Sequence, residues 1–187
     1  MAIPKHKYNL NERNLAKIEY LLPRLKYSVL PSNIIKWLEN FDEDEVDLAL
    51  DLLRVFEYIP FNEFMFRLDD LLFSILKEIP DNEKIIVFPY GKVGKSGTLV
   101  TYPLRNTTTF KRRGDDNILL THDIEFVKNL SDYKHIIFID DFIGSGDTFI
   151  EEYKKVKRID NWIKNNEFKR FFLLSSIIME DGKNKIA

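Results

Sequence analysis

The stretch His135-Ile-Ile-Phe-Ile-Asp-Asp-Phe-Ile-Gly-Ser-Gly-Asp-Thr-Phe149 decides the fold, because an apolar run leads directly into acidic, glycine and hydroxyl residues. Ile136–Ile139 has the continuous apolar character of a strand buried on both faces. Apolar residues recur at helical spacing from Phe149 to Ile163 and predict a helix after the turn. In open parallel sheets, ligands bind beyond the carboxyl ends of the strands. The turn is therefore the candidate functional site.

The segments on either side extend this pattern into an α/β domain. Ile85–Phe88 and Phe171–Ile178 are further apolar runs, and strand–helix–strand units imply a parallel sheet. We expect additional strands at Leu99–Tyr102 and Ile118–Leu120, and a polar loop at Thr107–Asp116.

The first part of the chain is predicted to be helical. Apolar stripes at helical spacing mark four segments, 15–29, 33–41, 46–56 and 64–79, and Pro23 should kink or split the first. We therefore divide the chain into a helical N-terminal region, 1–80, and an α/β domain, 81–187. Glu180–Lys183 is predicted to form a turn toward a further element, which would leave the core incomplete at its C-terminus.

Composition narrows the class of protein. The net charge of −2 gives no global basic field, so nucleic acid is a conceivable partner that charge does not indicate. The chain has no cysteine, which excludes disulfides and agrees with a reducing cytoplasm. No apolar run approaches the roughly 20 residues of a membrane span, and residues 1–14 lack the apolar stretch of a signal peptide. We expect a cytoplasmic protein without a membrane partner.

The turn combines groups that bind a phosphate with groups that bind a diol. Asp140 and Asp141 can accept hydrogen bonds from vicinal hydroxyls or hold Mg²⁺ through water. Glycines permit close backbone approach, hydroxyls donate, and the unpaired amides that open the following helix attract an anion. The predicted phosphate-binding residues are Gly144, Ser145, Gly146, Asp147 and Thr148. A phosphate site beside a diol acceptor suits a ribose 5-phosphate group, and a tight strand–helix turn with acidic surface residues is the alternative.

This stretch resembles the signature of the type I phosphoribosyltransferases, an apolar strand, two acids, two apolar residues and a Thr/Ser-Gly-x-Thr loop. The matching residues are Asp140, Asp141, Phe142, Ile143, Ser145, Gly146 and Thr148. The resemblance implies that the two acids, the predicted catalytic residues, bind the ribose hydroxyls and that the loop binds the 5-phosphate. Purine-salvage members carry an acid at the position of Gly144, and its absence here counts against 6-oxopurine salvage.

The glycine-rich loop after the first strand is the second candidate site. In the phosphoribosyltransferase resemblance, this loop binds pyrophosphate, and the candidates are Lys92, Lys95, Ser96, Gly97 and, further along, Arg105. Arg105, together with Arg112 and Arg113, could close over pyrophosphate as a mobile flap, and a solvated loop is the alternative. Gly94-Lys95-Ser96 also supports a degenerate P-loop NTPase, but proline occupies residue 89, where that motif requires glycine.

A closer resemblance extends over roughly residues 32–178. Trp37 to Tyr58, Gly94–Gly97 with Tyr102 and Arg105, and the aspartate turn are together similar to the phosphoribosyltransferase-like effectors of bacterial conflict systems. It implies a bacterial anti-phage enzyme that binds phosphoribosyl pyrophosphate or a nucleotide with Mg²⁺, transfers or cleaves at ribose C1, and answers to a sensor protein. A non-catalytic nucleotide-binding regulatory module and a protein-interaction subunit that works through residues 11–79 remain alternatives.

Overall fold

The computed structural model describes residues 10–90, 99–155 and 169–187. The chain forms two compact units, Met1–Phe61 and Asn62–Ala187. The boundary after residue 80 stays a prediction, and the last of the predicted helical stripes lies in the second of these units.

The first unit contains three helices, α1 (Glu12–Arg24), α2 (Pro31–Leu38) and α3 (Val46–Val55), with a 3₁₀ turn at Glu43–Glu45. The Asn11 side chain caps α1 by accepting a hydrogen bond from the Asn14 amide at 2.9 Å. Pro23 lies in the last turn of α1, and the helix ends one residue later. The buried stripes meet in one core, formed by Ile18, Leu21, Leu25, Ile34, Leu38, Val46, Ala49 and Leu50.

The second unit is built on a parallel sheet with the strand order β2-β1-β3-β4. The strands are β1 (Lys84–Pro89), β2 (Ile118–Leu120), β3 (Tyr133–Ile143) and β4 (Arg170–Ile178). The predicted parallel-sheet α/β fold is confirmed. Strand β3 is longer than predicted, because Phe142 and Ile143 continue the ladder by pairing with Ile177 and Ile178. Both aspartates therefore lie within the strand rather than after it.

Apolar side chains project from both faces of the sheet. Ile85 and Val87 pack in one core with helices α4 (Phe61–Leu76), α5 (Thr101–Asn106) and α6 (Thr108–Arg113). Ile86 and Phe88 pack in the other core with helix α7 (Asp147–Lys155). Burial on both faces explains why the strands read as unbroken apolar runs. The part of the predicted helix beyond residue 155 lies outside the described residues.

Two segments differ from their predicted structure. The expected strand at Leu99–Tyr102 is wrong, because this segment leads into α5, whose Leu104 is fully buried. The expected loop at Thr107–Asp116 contains α6 instead, because Thr107 caps that helix and Phe110 packs into the core. The predicted strand at Ile118–Leu120 is confirmed as β2.

The segment after β4 is also helical. Glu180–Ile186 forms helix α8, so the expected turn at residues 180–183 is wrong. Met179 precedes the helix, and its amide donates a hydrogen bond to the Ile143 carbonyl oxygen at 2.8 Å. Of the helices in the described ranges, none has both the length and the apolar character needed to cross a membrane.

Candidate functional site

The sheet topology has a switch point between the carboxyl ends of β1 and β3. From β1 the chain moves to β2 on one side of the sheet, and from β3 it moves to β4 on the other. Ligands of open α/β sheets bind where the strand order reverses in this way. Tyr90 follows β1 at this point, and Asp140 and Asp141 lie toward the end of β3.

The two aspartates form an interacting carboxyl pair. The Asp141 amide donates to Asp140 Oδ1 at 3.0 Å, and the two side-chain carboxyls interact with each other. Burial, followed by the adjacent Asp141 carboxyl, raises the pKa of Asp140 to about 6. Two carboxylates this close resist simultaneous ionisation. The pair can therefore hold a proton near neutral pH, and it can lose that proton when a cation or a hydrogen-bond donor binds to it.

Tyr90 is a site residue that sequence reasoning missed. Its buried hydroxyl hydrogen-bonds to Asp140, and burial together with the negative charge of Asp140 raises the pKa of Tyr90. The hydroxyl is therefore a donor at physiological pH. The Tyr90 ring lies edge-on to the Phe149 ring in the first turn of α7, with centroids 5.2 Å apart. Tyr90 thus connects the end of β1, the acid of β3 and the start of α7. Its position directly after an apolar strand was the available signal.

The turn between β3 and α7 presents unpaired backbone amides. Gly146 has a φ of +78°, a conformation that glycine adopts without strain. Within the described part of the chain, no acceptor is recorded for the amides of Ser145, Gly146 or Thr148, and the first backbone bond into α7 runs from Ile150 to Gly146. Such amides, together with the helix dipole, form an anion site.

The Asp147 carboxylate has protein partners of its own. It forms an ion pair with Lys185 and accepts a hydrogen bond from Ser145 Oγ at 2.7 Å. Both partners hold the pKa of Asp147 below its usual range, Lys185 with the larger effect. An ionised carboxylate cannot donate a hydrogen bond to a phosphate, and the Asp147 amide donates to Ser145 Oγ at 3.4 Å. The phosphate-binding role of Asp147 stays a prediction.

Residues 34–187 match the PRTase-CE family, a phosphoribosyltransferase-like family. The chain belongs to this family. The match includes the whole sheet and both predicted loops, so the resemblance drawn from the aspartate turn is confirmed at the level of family and fold. PRTase-CE membership supports chemistry of the phosphoribosyltransferase type on a phosphoribosyl or nucleotide substrate. No curated protein matches the chain.

One buried oxygen of this PRTase-CE site lacks a protein partner. Among the described residues, no hydrogen-bond partner is recorded for Asp141 Oδ1 or for Ser176 Oγ, and both atoms are buried. The β3–β4 ladder pairs Asp140 with Ser175 and Phe142 with Ile177, so Asp141 and Ser176 lie between paired positions. An unsatisfied buried acceptor is costly, and a ligand hydroxyl or a hydrated cation would satisfy it.

The donor set suits Mg²⁺ held jointly with a substrate. Described residues contain no group of three or more His, Cys, Asp or Glu side chains placed to hold a metal. Mg²⁺ characteristically keeps several waters and binds through one or two carboxylates plus substrate phosphates. Asp140 and Asp141 provide such a pair of carboxylates, and the unpartnered Asp141 oxygen is compatible with this use.

Of the predicted pyrophosphate residues, Arg105 alone lies within the part of the chain that the structure describes. Lys92, Lys95, Ser96 and Gly97 lie outside the described residues, as does the motif on which the NTPase interpretation rests. Arg105 is exposed on α5, and its guanidinium lies 3.5 Å from the Asp115 carboxylate.

The predicted arginine flap is wrong for Arg113. Its buried guanidinium pairs with Asp81 and donates to the Pro80 and Glu83 carbonyl oxygens, so it fixes the segment before β1. Arg112 lies over the Phe73 ring, 5.2 Å from its centroid.

His135 links β3 to the residue that precedes β1. Its Nε2 lies 2.5 Å from Glu83 Oε2, and its side chain is buried.

Proposed function

We propose that this protein binds phosphoribosyl pyrophosphate or a nucleotide, together with Mg²⁺, in the crevice between β1 and β3. The proposed reaction is transfer or cleavage at ribose C1. The observation that carries the proposal is the Tyr90-linked carboxyl pair, Asp140 and Asp141, at the switch point of a PRTase-CE sheet. The amides of the turn directly follow this pair along the chain.

Each part of the site corresponds to one part of the donor molecule. The Asp140 and Asp141 carboxylates accept hydrogen bonds from the O2 and O3 hydroxyls of the ribose. The backbone amides of residues 144–148 hold the 5-phosphate. Tyr90 donates to Asp140 and fixes the orientation of its carboxyl. Gripping the ribose at both ends leaves C1 as the exposed reacting centre, with its geometry set before reaction.

Positive charge is needed where pyrophosphate departs. The transition state of phosphoribosyl transfer resembles an oxocarbenium ion, and the leaving group gathers negative charge as the bond to C1 breaks. Lys92, Lys95 and Arg105 are the proposed residues for this charge. When bound, Mg²⁺ supplies additional positive charge to the pyrophosphate, and Asp140 and Asp141 would hold it through water.

The biological role we propose is that of an effector in bacterial anti-phage defence, controlled by a sensor protein. This part rests on the motif resemblance to conflict-system effectors, in particular on Gly94–Gly97 with the aspartate turn. A cytoplasmic location follows from the same proposal.

Calorimetric titration with phosphoribosyl pyrophosphate and Mg²⁺ tests the site. We expect the wild type to bind and the Asp140→Asn/Asp141→Asn variant to lose at least tenfold in affinity, since hydrogen bonds to charged groups contribute about 1.5–3 kcal/mol each. The matched control, Glu43→Gln/Asp44→Asn, removes the same charge from exposed residues of the other unit and should bind as the wild type does. Equal binding by the two double variants would contradict the proposed site.

Turnover separates the enzyme from the regulatory module. Release of pyrophosphate, or of a free base from a nucleotide, by the wild type but not by the Asp140/Asp141 variant supports catalysis at this site. Tight binding without release of either product would instead assign the chain to the non-catalytic nucleotide-binding class.

A further inference from the structure

Helix α8 is seated directly on the phosphate turn. A Cβ atom built at Gly182 would lie 2.1 Å from the Gly144 carbonyl oxygen, so only glycine permits this approach. One turn of helix later, the Ile186 side chain covers Gly146, where an added Cβ would lie 3.0 Å from Ile186 Cδ1. The turn and the helix therefore contact each other at two successive positions. The helix is packed closely enough for one of its side chains to contact the turn.

Lys185 is the side chain that α8 delivers. Its Nζ forms an ion pair with the Asp147 carboxylate, and about half of the side chain (47%) remains exposed. Among the residues that the structure describes, it is the one basic side chain recorded in contact with the turn at residues 144–148. Lys183, on the same helix, is exposed and has no recorded ion pair within the described ranges.

A phosphate bound at the turn would lie beside the negative charge of Asp147. Asp147 is ionised, because Lys185 and Ser145 hold its pKa low. A phosphate monoester carries close to two negative charges at neutral pH. It would repel the Asp147 carboxylate of the same turn. Backbone amides satisfy the oxygen atoms of a phosphate but carry only partial charge. A full positive charge beside Asp147 would offset part of this negative charge.

We propose, on the basis of the function proposed above, that Lys185 is a phosphate-binding residue contributed by the C-terminal helix. In the absence of ligand it pairs with Asp147. When the 5-phosphate enters the turn, the exposed ammonium group swings toward the phosphate and pairs with it, while α8 remains seated through Gly182 and Ile186. The described site thus includes three parts, the acids of β3, the amides of the turn and the lysine of α8.

The test compares Lys185→Met with Lys183→Met in the full chain, by titration with ribose 5-phosphate and with phosphoribosyl pyrophosphate. Both variants lose one charge from the same helix and keep an aliphatic side chain. We expect Lys185→Met to weaken binding of both ligands roughly tenfold, the lower end of the range for a hydrogen bond to a charged group because the site is partly exposed. Lys183→Met should change affinity less than twofold, and Lys185→Arg should restore most of the loss.

Asp147→Asn separates phosphate binding from a purely structural ion pair. Lys185→Met and Asp147→Asn both abolish the pair, so a structural role predicts that both weaken binding to a similar extent. A phosphate-binding Lys185 predicts opposite signs, since Asp147→Asn releases the lysine and removes a repelling charge. We expect Asp147→Asn to bind ribose 5-phosphate at least as tightly as the wild type. Thermal unfolding of each variant checks that α8 remains folded.

The outcomes distinguish this inference from the function on which it rests. Binding by the wild type with equal affinity in Lys185→Met would overturn the role of Lys185 and leave the proposed function standing. Parallel losses in Lys185→Met and Asp147→Asn would also overturn it, in favour of a structural pair. Failure of the wild type to bind either phosphoribosyl ligand would overturn the proposed function and the inference together.

Discussion

Replacing Asp140 with asparagine should stabilise the protein at neutral pH while it damages the site. Asparagine keeps the shape of the side chain and can still accept hydrogen bonds from the Asp141 amide and from Tyr90. It removes a charge that burial and the Asp141 carboxyl disfavour, the two main reasons that the pKa of Asp140 rises to about 6. The aspartate is therefore a residue whose ionisation opposes folding.

The magnitude follows from the two pKa values. The pKa of the carboxyl is about 6 in the folded chain and about 3.8 in the unfolded chain. At about 1.4 kcal/mol for each pH unit, full ionisation of Asp140 would cost roughly 3 kcal/mol. Solvent reaches part of the pair, and screening reduces the expected cost to about 1–2 kcal/mol. For a chain of 187 residues, each kcal/mol corresponds to about 2–4 °C in Tm.

The sign of the pH dependence is specific. Between about pH 4 and pH 6, the folded chain still holds a proton on Asp140 that the unfolded chain has released. Stability therefore falls as the pH rises through this window. The advantage of Asp140→Asn should be complete above pH 7, about half as large at pH 5, and absent by about pH 3.

Urea unfolding of the wild type and Asp140→Asn at pH 5, 6, 7 and 8 measures this dependence. Asp115→Asn is a suitable control, because that carboxyl is exposed. A variant that is less stable than the wild type at pH 8, or that gains the same free energy of unfolding at every pH, would refute the claim that the folded chain disfavours ionisation of Asp140.

Three further changes test other parts of the second unit. Gly182→Ala should destabilise the packing of α8 by about 1–2 kcal/mol, since overpacking outweighs the better helix propensity of alanine. Hydrogen exchange of residues 179–187 should accelerate in this variant. In the control, Gly144→Ala, the added Cβ would meet only a ring atom at 3.4 Å, so the helix should stay in place. Arg113→Met should lower the free energy of unfolding by about 2–3 kcal/mol in chemical denaturation, against less than about 1 kcal/mol for Arg112→Met. A lysine and a histidine hold the pKa of Glu83 below its usual range, so its contribution to stability should disappear as the pH falls through that pKa, and Glu83→Gln should narrow the difference in unfolding free energy between pH 6 and pH 3.

Sequence patterns predict the elements whose burial is uniform. The two central strands, β1 and β3, have runs that are buried on both faces, so their apolar patterns are unambiguous. The stripes of α1 and α3 face one core, and the stripe of α4 faces another. The segment at residues 99–113 defeats the same reasoning because its two helices are short. A helix of six residues offers too few turns for periodicity to appear, and the capping role of Thr107 and the burial of Phe110 depend on the sheet beneath them.

The candidate site is predictable where one local motif carries it. The acids and the turn are contiguous in sequence, and the spacing of these residue types is enough to indicate a ligand. Tyr90 and Lys185 are not predictable in this way, because each reaches the site from a different strand connection. Gly182 carries no local signal either, since only its approach to the Gly144 carbonyl requires glycine.

Carboxylates at the two edges of the sheet have different partners. At the amino edge, the Glu83 carboxylate bridges His135 of β3 and Lys169 beside β4, so it joins the starts of three strands, although the buried His135 Nδ1 has no partner among the described residues. At the carboxyl edge, Asp140 is held with a raised pKa, and Asp141 keeps a buried oxygen without a recorded partner among the described residues. A fold selected for stability alone would pair the carboxylates of both edges with cations. The carboxyl groups that the protein leaves without a cation at the carboxyl edge can bind a ligand instead.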